Sequence, residues 1–409
     1  MKKILILGSN TGSLEMVEYI RRRGDYAIVS DFYQMEQSPA KQLAHEHWEI
    51  STQDLELLYG KCLEENVQGI LASTGEANLE SAIKLSGRLG LPFYVDEKSW
   101  KYTNDKLLFK QACMEHGLPV PQAFSLTDLP EDADYPVVVK PADNCFSRGL
   151  TVCENKEALP EAIALAEKYS GKKRVVIEKY IEGIQLNAGY YMADGEIELS
   201  DVFGSFVGPG EPSTCYSFFT TKHRYETMYL EKYNEKVKQL LKDLGCRNGK
   251  AFIQGIVQKD TLYMLEVNYR LDGMGMFNLG KEAYGLDSVK LLVDYSADGK
   301  TSMPKIPPNR KTVTAAYAIW TRSEGTISRI YGLERLKEKI PNVRVRCMFR
   351  EGMTVSEARE NGRLLMTIAF IKNSEAEVEE TVKWINRNVG VLDQEGKDML
   401  IRFEAFDQI

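Results

Sequence analysis

No stretch of about eighteen consecutive apolar residues occurs in the chain, so no segment is expected to cross a membrane as a helix. The opening Met1 to Gly8 joins a basic head to a short apolar stretch, too brief for a secretory leader and followed by no small-residue cleavage site. Histidine is scarce, at four residues. His45 and His47 share one side if the chain is extended there, but a third or fourth ligand is missing, and His116 and His223 stand alone, so no zinc-type site is expected. The seven cysteines contain no C-x-x-C pair and are odd in number, which suits reduced thiols in a cytoplasm rather than a disulfide framework. Cys145 and Cys215 have no evident His partner, so a thiol nucleophile with its base is not expected. A basic excess is also absent: 52 Lys and Arg against 59 Asp and Glu leave a net charge of -7. With both signs interspersed, the surface lacks what a nucleic-acid partner requires.

Two nucleotide motifs fail on inspection. Gly8-Ser9-Asn10-Thr11-Gly12, with Asp31 after the second strand, has the outline of a dinucleotide turn, but Asn10 and Ser13 stand where G-x-G-x-x-G needs glycine. The stretch 245–251 is one residue short of a P-loop and lacks its hydroxyl, and Asp294 stands where a P-loop ending at Thr301 needs its first glycine.

What is present is a chain of 409 residues with 43% hydrophobic content, enough for two or three cores. Over the first hundred residues strands are expected at 3–7, 27–30 and 69–72, alternating with helices at 13–23, 52–66 and 76–89. That alternation implies a parallel sheet with crossover helices. Residues 204–223, rich in glycine and polar side chains, read as a long loop and a candidate for contacting substrate. Pro304, Pro307 and Pro308 mark a linker. Beyond it, strands at 312–320, 343–349 and 364–371 with helices at 332–339 and 376–388 suggest an α+β tail.

The chemistry is densest at Leu265-Glu266-Val267-Asn268-Tyr269-Arg270. In a strand, Glu266, Asn268 and Arg270 point one way while Val267 and Tyr269 point the other. A carboxylate and an amide oxygen side by side suit Mg²⁺, and the arginine suits a phosphate sharing that metal. A salt-bridged surface edge would read the same in isolation. Three further stretches weigh against it: Val137 to Pro141, a buried-looking strand carrying Lys140; the polar turn 142–149; and the strand Val175 to Lys179 running into Tyr180 to Gly183.

Together these stretches resemble the ATP-grasp ligases over essentially the whole chain. The resemblance implies a Rossmann-like parallel-sheet domain at 1–98, an ATP-grasp domain at 99–305 with a small lid at about 125–185, and a C-terminal α+β cap at 306–409. It implies that Lys106 and Lys140 contact ATP, that Ser147, Arg148 and Gly149 end the phosphate-covering loop, and that Glu178, Lys179 and Ile181 hold adenine. Gln185 lies near the ribose position, and Leu265 lies beneath the purine. Glu266 and Asn268 correspond to metal ligands for Mg²⁺ or Mn²⁺, with Arg270 on phosphate and, with Lys140, in the catalytic role. Two departures stand out. Gln254 occupies a metal position that many members fill with an acid, a glutamine there being similar to carbamoyl-phosphate synthetase, and Cys145 and Phe146 stiffen the phosphate loop. The implied activity is an ADP-forming union of a carboxylic acid with an amine through an acyl phosphate, an amino acid being a candidate acid. Carbamoyl-phosphate or carboxyphosphate chemistry and a non-catalytic ATP-binding regulator are the alternatives. The partners expected are ATP and small molecules, without nucleic acid or membrane, and a homodimer is left open. Glu76 is a candidate for orienting an amine or for simply starting a helix. Arg322 is a candidate for a substrate carboxylate or an ordinary surface residue, and Gly273 and Gly275 either approach the acyl phosphate or turn the chain.

Overall fold

The computed structural model describes residues 1–35, 38–142, 149–207, 216–221, 224–307, 311–321, 323–356 and 364–406. Its N-terminal part is a four-stranded parallel sheet in the order Glu46–Trp48, Tyr26–Ser30, Lys3–Leu7, Gly69–Ala72. Ile4 to Leu7 are all fully buried, as expected for a parallel strand covered on both faces by crossover helices. The longer helices are Ser13–Arg22, Leu55–Glu64 and Glu76–Leu89, with a short one at Pro39–Leu43; the second of the longer ones starts later than the expected 52–66 because Asp54 caps it. The strand Glu46–Trp48 was not expected. His45 helps to place it, accepting from the Ala27 N–H at 3.0 Å and stacking on Tyr26 at 4.8 Å, so its ring serves the sheet edge. Asp31, the acid a dinucleotide would need, is 3% exposed and paired with the buried Lys41 at 2.8 Å.

The middle of the chain contributes a small antiparallel sheet in the order Ala123–Phe124, Val175–Lys179, Val137–Pro141, Thr151–Cys153. Val137, Val139 and Ile177 pack with Leu159, Ala162 and Ala166 of the helix Leu159–Tyr169. Period-two alternation therefore turns Lys140 and Glu178 onto the face away from that helix.

The largest sheet has nine strands. Its main path runs Thr261–Asn268, Gly249–Gln258, Ile184–Ala193, Glu196–Val207, Tyr216–Thr221, Val313–Thr321, Leu364–Lys372, Arg344–Cys347, all antiparallel, with Leu400–Ile401 added beside Val313–Thr321. The expected loop at 204–223 is corrected here: residues up to Val207 and the strand Tyr216–Thr221 belong to the sheet, with Ser217 to Thr221 buried. The side chains that cover them lie far away in sequence, which hides the strand from local pattern. His223, Cys215 and the rest of that stretch fall outside the described residues. The C-terminal part also carries a three-stranded sheet of Thr354–Val355, Gly325–Tyr331 and Gly390–Asp393. Helices Leu333–Lys339 and Glu375–Asn388 match expectation closely. Among the described residues no helix is long and apolar enough to cross a membrane.

Candidate active site

The strand Thr261–Asn268 poses a problem of parity. Leu262 and Met264 are buried in the main core, so strict alternation would send Glu266 into the same core. A bulge resolves this: Gln254 pairs with Glu266 but Gly255 pairs with Met264, leaving Leu265 without a cross-strand partner. Beyond it the buried positions become Val267 and Tyr269, and Glu266 faces a cavity. Gly255 makes the bulge possible, since a Cβ there would lie 2.6 Å from Leu262 Cδ1 and 2.7 Å from the Tyr263 carbonyl oxygen. The expected grouping of Glu266, Asn268 and Arg270 opposite Val267 and Tyr269 agrees with this arrangement.

Glu266 heads a row of polar side chains across three strands, Glu266 to Gln254 to Asn187. Asn268 Nδ2 donates to Gln254 Oε1 at 3.2 Å, and Gln254 Nε2 donates to Asn187 Oδ1 at 2.9 Å. Gln185 Nε2 donates to the same Asn187 oxygen at 3.2 Å, and Asn187 Nδ2 donates to Ser205 Oγ at 2.8 Å. The amides are thus held by one another. Asn187, the node of this network, was not singled out from sequence; its signal is the alternation of Gln185 and Asn187 with Leu186 and Ala188.

The cavity is lined by Glu76, Asn104, Lys106, Phe109, Glu266 and Asn268, among others. Lys106 opens the helix Lys106–Glu115, whose cap Asp105 accepts from the Leu107 and Leu108 N–H groups and pairs with Arg174 at 2.5 Å. One turn on, Lys110 shares its face. Lys106 Nζ lies 3.4 Å from Glu266, while Lys110 Nζ meets Glu178 Oε1, and Lys140 Nζ lies 3.1 Å from Glu178 Oε2. One helix therefore spans the bulged strand and the small sheet. Lys110, also missed from sequence, is detectable only as the i+4 partner of Lys106.

Burial raises the Glu266 carboxyl pKa, but the charges of Lys106, Lys140 and Arg270 outweigh it and hold the group below the ordinary carboxylate value. At Glu178 burial again opposes the charge, and Lys140 and Lys110 overcome it. Lys110 itself is brought down to about 8, chiefly by burial and then by Lys140. Arg270 Nη2 donates to Glu76 Oε1 at 3.0 Å and Nη1 to the Leu271 carbonyl at 3.0 Å, while its Nε is buried without a hydrogen-bond partner among the described residues.

The remaining expected residues are placed as follows. Lys179 Nζ donates to the Asp134 and Tyr135 carbonyls at 2.6 and 3.2 Å, so its side chain braces the small sheet's own loop. Ile181 is 8% exposed at the turn after that strand, and Leu265, in the bulge, is partly exposed. Gly149 has φ +73° and sits against Tyr169 and Pro141, whereas Ser147 and Arg148, like Cys145 and Arg322, fall outside the described residues. Cys62, Cys113, Cys153 and Cys246 are buried free thiols, and burial pushes Cys62 and Cys113 up to about 12. His116 ties the helix Lys106–Glu115 to Asp243, at 2.9 Å.

The donor set fits a hard cation. Glu266, Gln254 and Asn268 offer one carboxylate and two amide oxygens on facing strands, a set that Mg²⁺ completes with substrate phosphates and water. Among the described residues no group of three or more His, Cys, Asp or Glu gathers. A larger cavity of about 550 Å³ lies in the C-terminal part, near Leu333, Arg335, Cys347 and Phe349, apart from these charges.

Residues 103–274 match the family model of the ATP-grasp domain, so this part of the chain belongs to the ATP-grasp class. Members of that class use ATP with a divalent metal. The chain is 25% identical over 291 residues to the formate-dependent phosphoribosylglycinamide formyltransferase of Wolinella succinogenes, covering 68% of this chain and 72% of that protein. It is 28% identical over 252 residues to the D-alanine–D-alanine ligase of Syntrophobacter fumaroxidans, covering 56% and 72%. In fold it is similar to an L-amino acid ligase from Bacillus licheniformis, with a TM-score of 0.82, 19% identity, and coverage of 96% and 99%.

Proposed function

We propose that this protein is an ADP-forming carboxylate–amine ligase working through an acyl phosphate in the cytoplasm, with ATP and Mg²⁺ or Mn²⁺. The observation that carries this reading is one carboxylate, Glu266, facing a cavity under the combined charge of Lys106, Lys140 and Arg270. Such a site suits a triphosphate sharing a metal. We assign Lys106, Lys140 and Arg270 to phosphate oxygens, Glu178, Lys179 and Ile181 to the adenine hinge, Gln185 to the ribose side, and Leu265 to the underside of the purine. Lys179 would act through its main chain, its amine being engaged elsewhere. Gly149 with Ser147 and Arg148 would close over the phosphates. Glu266 and Asn268 would hold the metal, with Gln254 as a neutral third ligand. We keep the divisions near residues 98 and 305 and the lid at about 125–185 as part of this proposal.

The reaction needs no protein nucleophile. A carboxylate oxygen of the acid attacks the γ-phosphorus, the bond to the β-phosphate oxygen breaks, and ADP leaves with the electron pair. A neutral amine then attacks the acyl carbon, phosphate departs with its oxygen, and the amine gives its proton to solvent. Lys106, Lys140 and Arg270 hold the phosphoryl oxygens in line and offset their charge as the group transfers. The bound metal adds further positive charge on those oxygens. The names of the amino-acid ligating relatives favour an amino acid as the acid. The test is a matrix of acids and amines scored by phosphate and ADP release. ADP release that needs one acid and one amine together supports the ligase. Release that needs bicarbonate instead points to carboxyphosphate chemistry, and nucleotide binding without release under any pair would leave only a binder.

A further inference from the structure

Glu76 is a second acid in a site otherwise arranged for anions. It opens the helix Glu76–Leu89 in the N-terminal part, lines the same cavity as Lys106 and Glu266, and reaches the Arg270 guanidinium at 3.0 Å. Its main chain is tightly set: a Cβ on the preceding Gly75 would lie 3.0 Å from both the Asn10 and the Asn78 side-chain nitrogens. A carboxylate fixed in a triphosphate site repels the substrate it sits beside. In the structure Arg270 balances it, but the proposed reaction turns Arg270 toward phosphoryl oxygens, so Glu76 then needs another cation.

We infer that Glu76 receives the ammonium group of the acid being activated, so that the enzyme selects amine-bearing acids, α-amino acids above all, over plain carboxylic acids and bicarbonate. This inference rests on the ligase reading above. An α-amino acid carries its ammonium one carbon from its carboxylate, the arrangement complementary to the Glu76 and Arg270 pair. It enters by exchanging one ion pair for two, with its carboxylate and the acyl phosphate formed from it on Arg270 and its ammonium on Glu76. Bicarbonate and plain acids bring no cation and leave Glu76 uncompensated among phosphates. The same contact holds the donor's own amine protonated and therefore not nucleophilic, so the attack on the acyl carbon is left to the second substrate.

The test compares ADP release by the full chain with α-amino acids against the same acids lacking the amine, and against bicarbonate, each offered with a panel of amine acceptors. The parent protein should prefer amino acids in kcat/KM by about 10- to 100-fold, the worth of a hydrogen bond to a charged group. Glu76→Gln should bring that ratio close to one, and Glu76→Asp should keep part of it. A Glu76 that only clamps the N-terminal part to the core would lower both rates together and leave the ratio unchanged, which would overturn the inference. Parent turnover that is equal with and without the amine, or driven by bicarbonate, overturns the role of Glu76 while ATP-grasp turnover stands. Absence of ADP release with every acid overturns the ligase reading and this inference with it.

Discussion

Replacing Glu178 with glutamine should reveal how much of the small sheet rests on one shared counter-ion. The side chains of Glu178, Lys110 and Lys140 are 0%, 6% and 12% exposed, so water has little access to replace the lost charge. Removing one partner of a buried pair costs about 3–5 kcal/mol. Each kcal/mol lowers Tm by about 2–4 °C in a domain of this order of size, so Glu178→Gln should melt roughly 6–20 °C below the parent at neutral pH. The penalty should ease in alkali. Lys110 titrates at about 8 in the folded protein, against an ordinary lysine value of 10.5, chiefly through burial and then through Lys140. Between those values the unfolded chain binds the extra proton, so the contribution of Lys110 to stability grows as pH rises through that window. Without the carboxylate Lys110 should lose its proton still more readily. The double variant Lys110→Met with Glu178→Gln should regain part of the loss, because the more deeply buried of the two ammoniums left without Glu178 is gone while Lys140 remains. Thermal melts of the four proteins near pH 7 and pH 9 measure all of this. A single variant melting within about 2 °C of the parent, or a double variant melting below both singles, would refute the coupling.

Glu266→Gln should lower ADP release by at least about 100-fold in a protein that still folds, and unaltered turnover would remove Glu266 from the chemistry. Gly255→Ala should cost about 1–3 kcal/mol by forcing Leu262 and the Tyr263 carbonyl aside. It should also reduce activity as Glu266 loses its aim; normal melting and turnover would show that the bulge tolerates a side chain. Asp31→Asn strands the buried Lys41 and should cost about 3–5 kcal/mol with KM for ATP unchanged, and a shift in that KM would contradict the structural assignment. Because cationic neighbours outweigh burial and keep the Glu178 and Glu266 carboxyls below the ordinary value of 4.5, their stabilisation is complete above that pH and fades as pH falls through the folded values. Fluorescent ATP-analogue binding should show no acid limb from these carboxyls between about pH 5 and 7; a midpoint near 6 that Glu266→Gln removes would argue against this.

Much of the site was readable because its residues lie at the ends of strands with visible period-two patterns. Glu266, Asn268 and Arg270 fall on alternate positions, and Lys140 and Glu178 do so on their own short strands. The bulge at Leu265 was not readable, since only the pairing of Gly255 with Met264 reveals the skipped residue. Lys110 and Asn187 were missed for a similar reason: each looks like an ordinary helix or strand residue until its partner, from a distant segment, is in place. The parallel N-terminal sheet follows from strand and helix alternation, whereas the edge strand Glu46–Trp48 is three residues long and depends on His45. Thr354–Val355 and Leu400–Ile401 have only two residues each, too few for any periodicity to register.

The pairing of Phe218 with Tyr317 has a practical side. A fragment ending just before the strand Val313–Thr321 would bare the main-chain edge of Tyr216–Thr221 and strip Phe206 and Phe218 of the aliphatic cover given by Val313, Ile319 and Ile368. An open edge flanked by exposed aromatics invites strand addition from another molecule. Dissection by truncation at the proline-rich segment should therefore produce insoluble material, and a soluble minimal form has to retain the C-terminal strands even if they never touch a substrate.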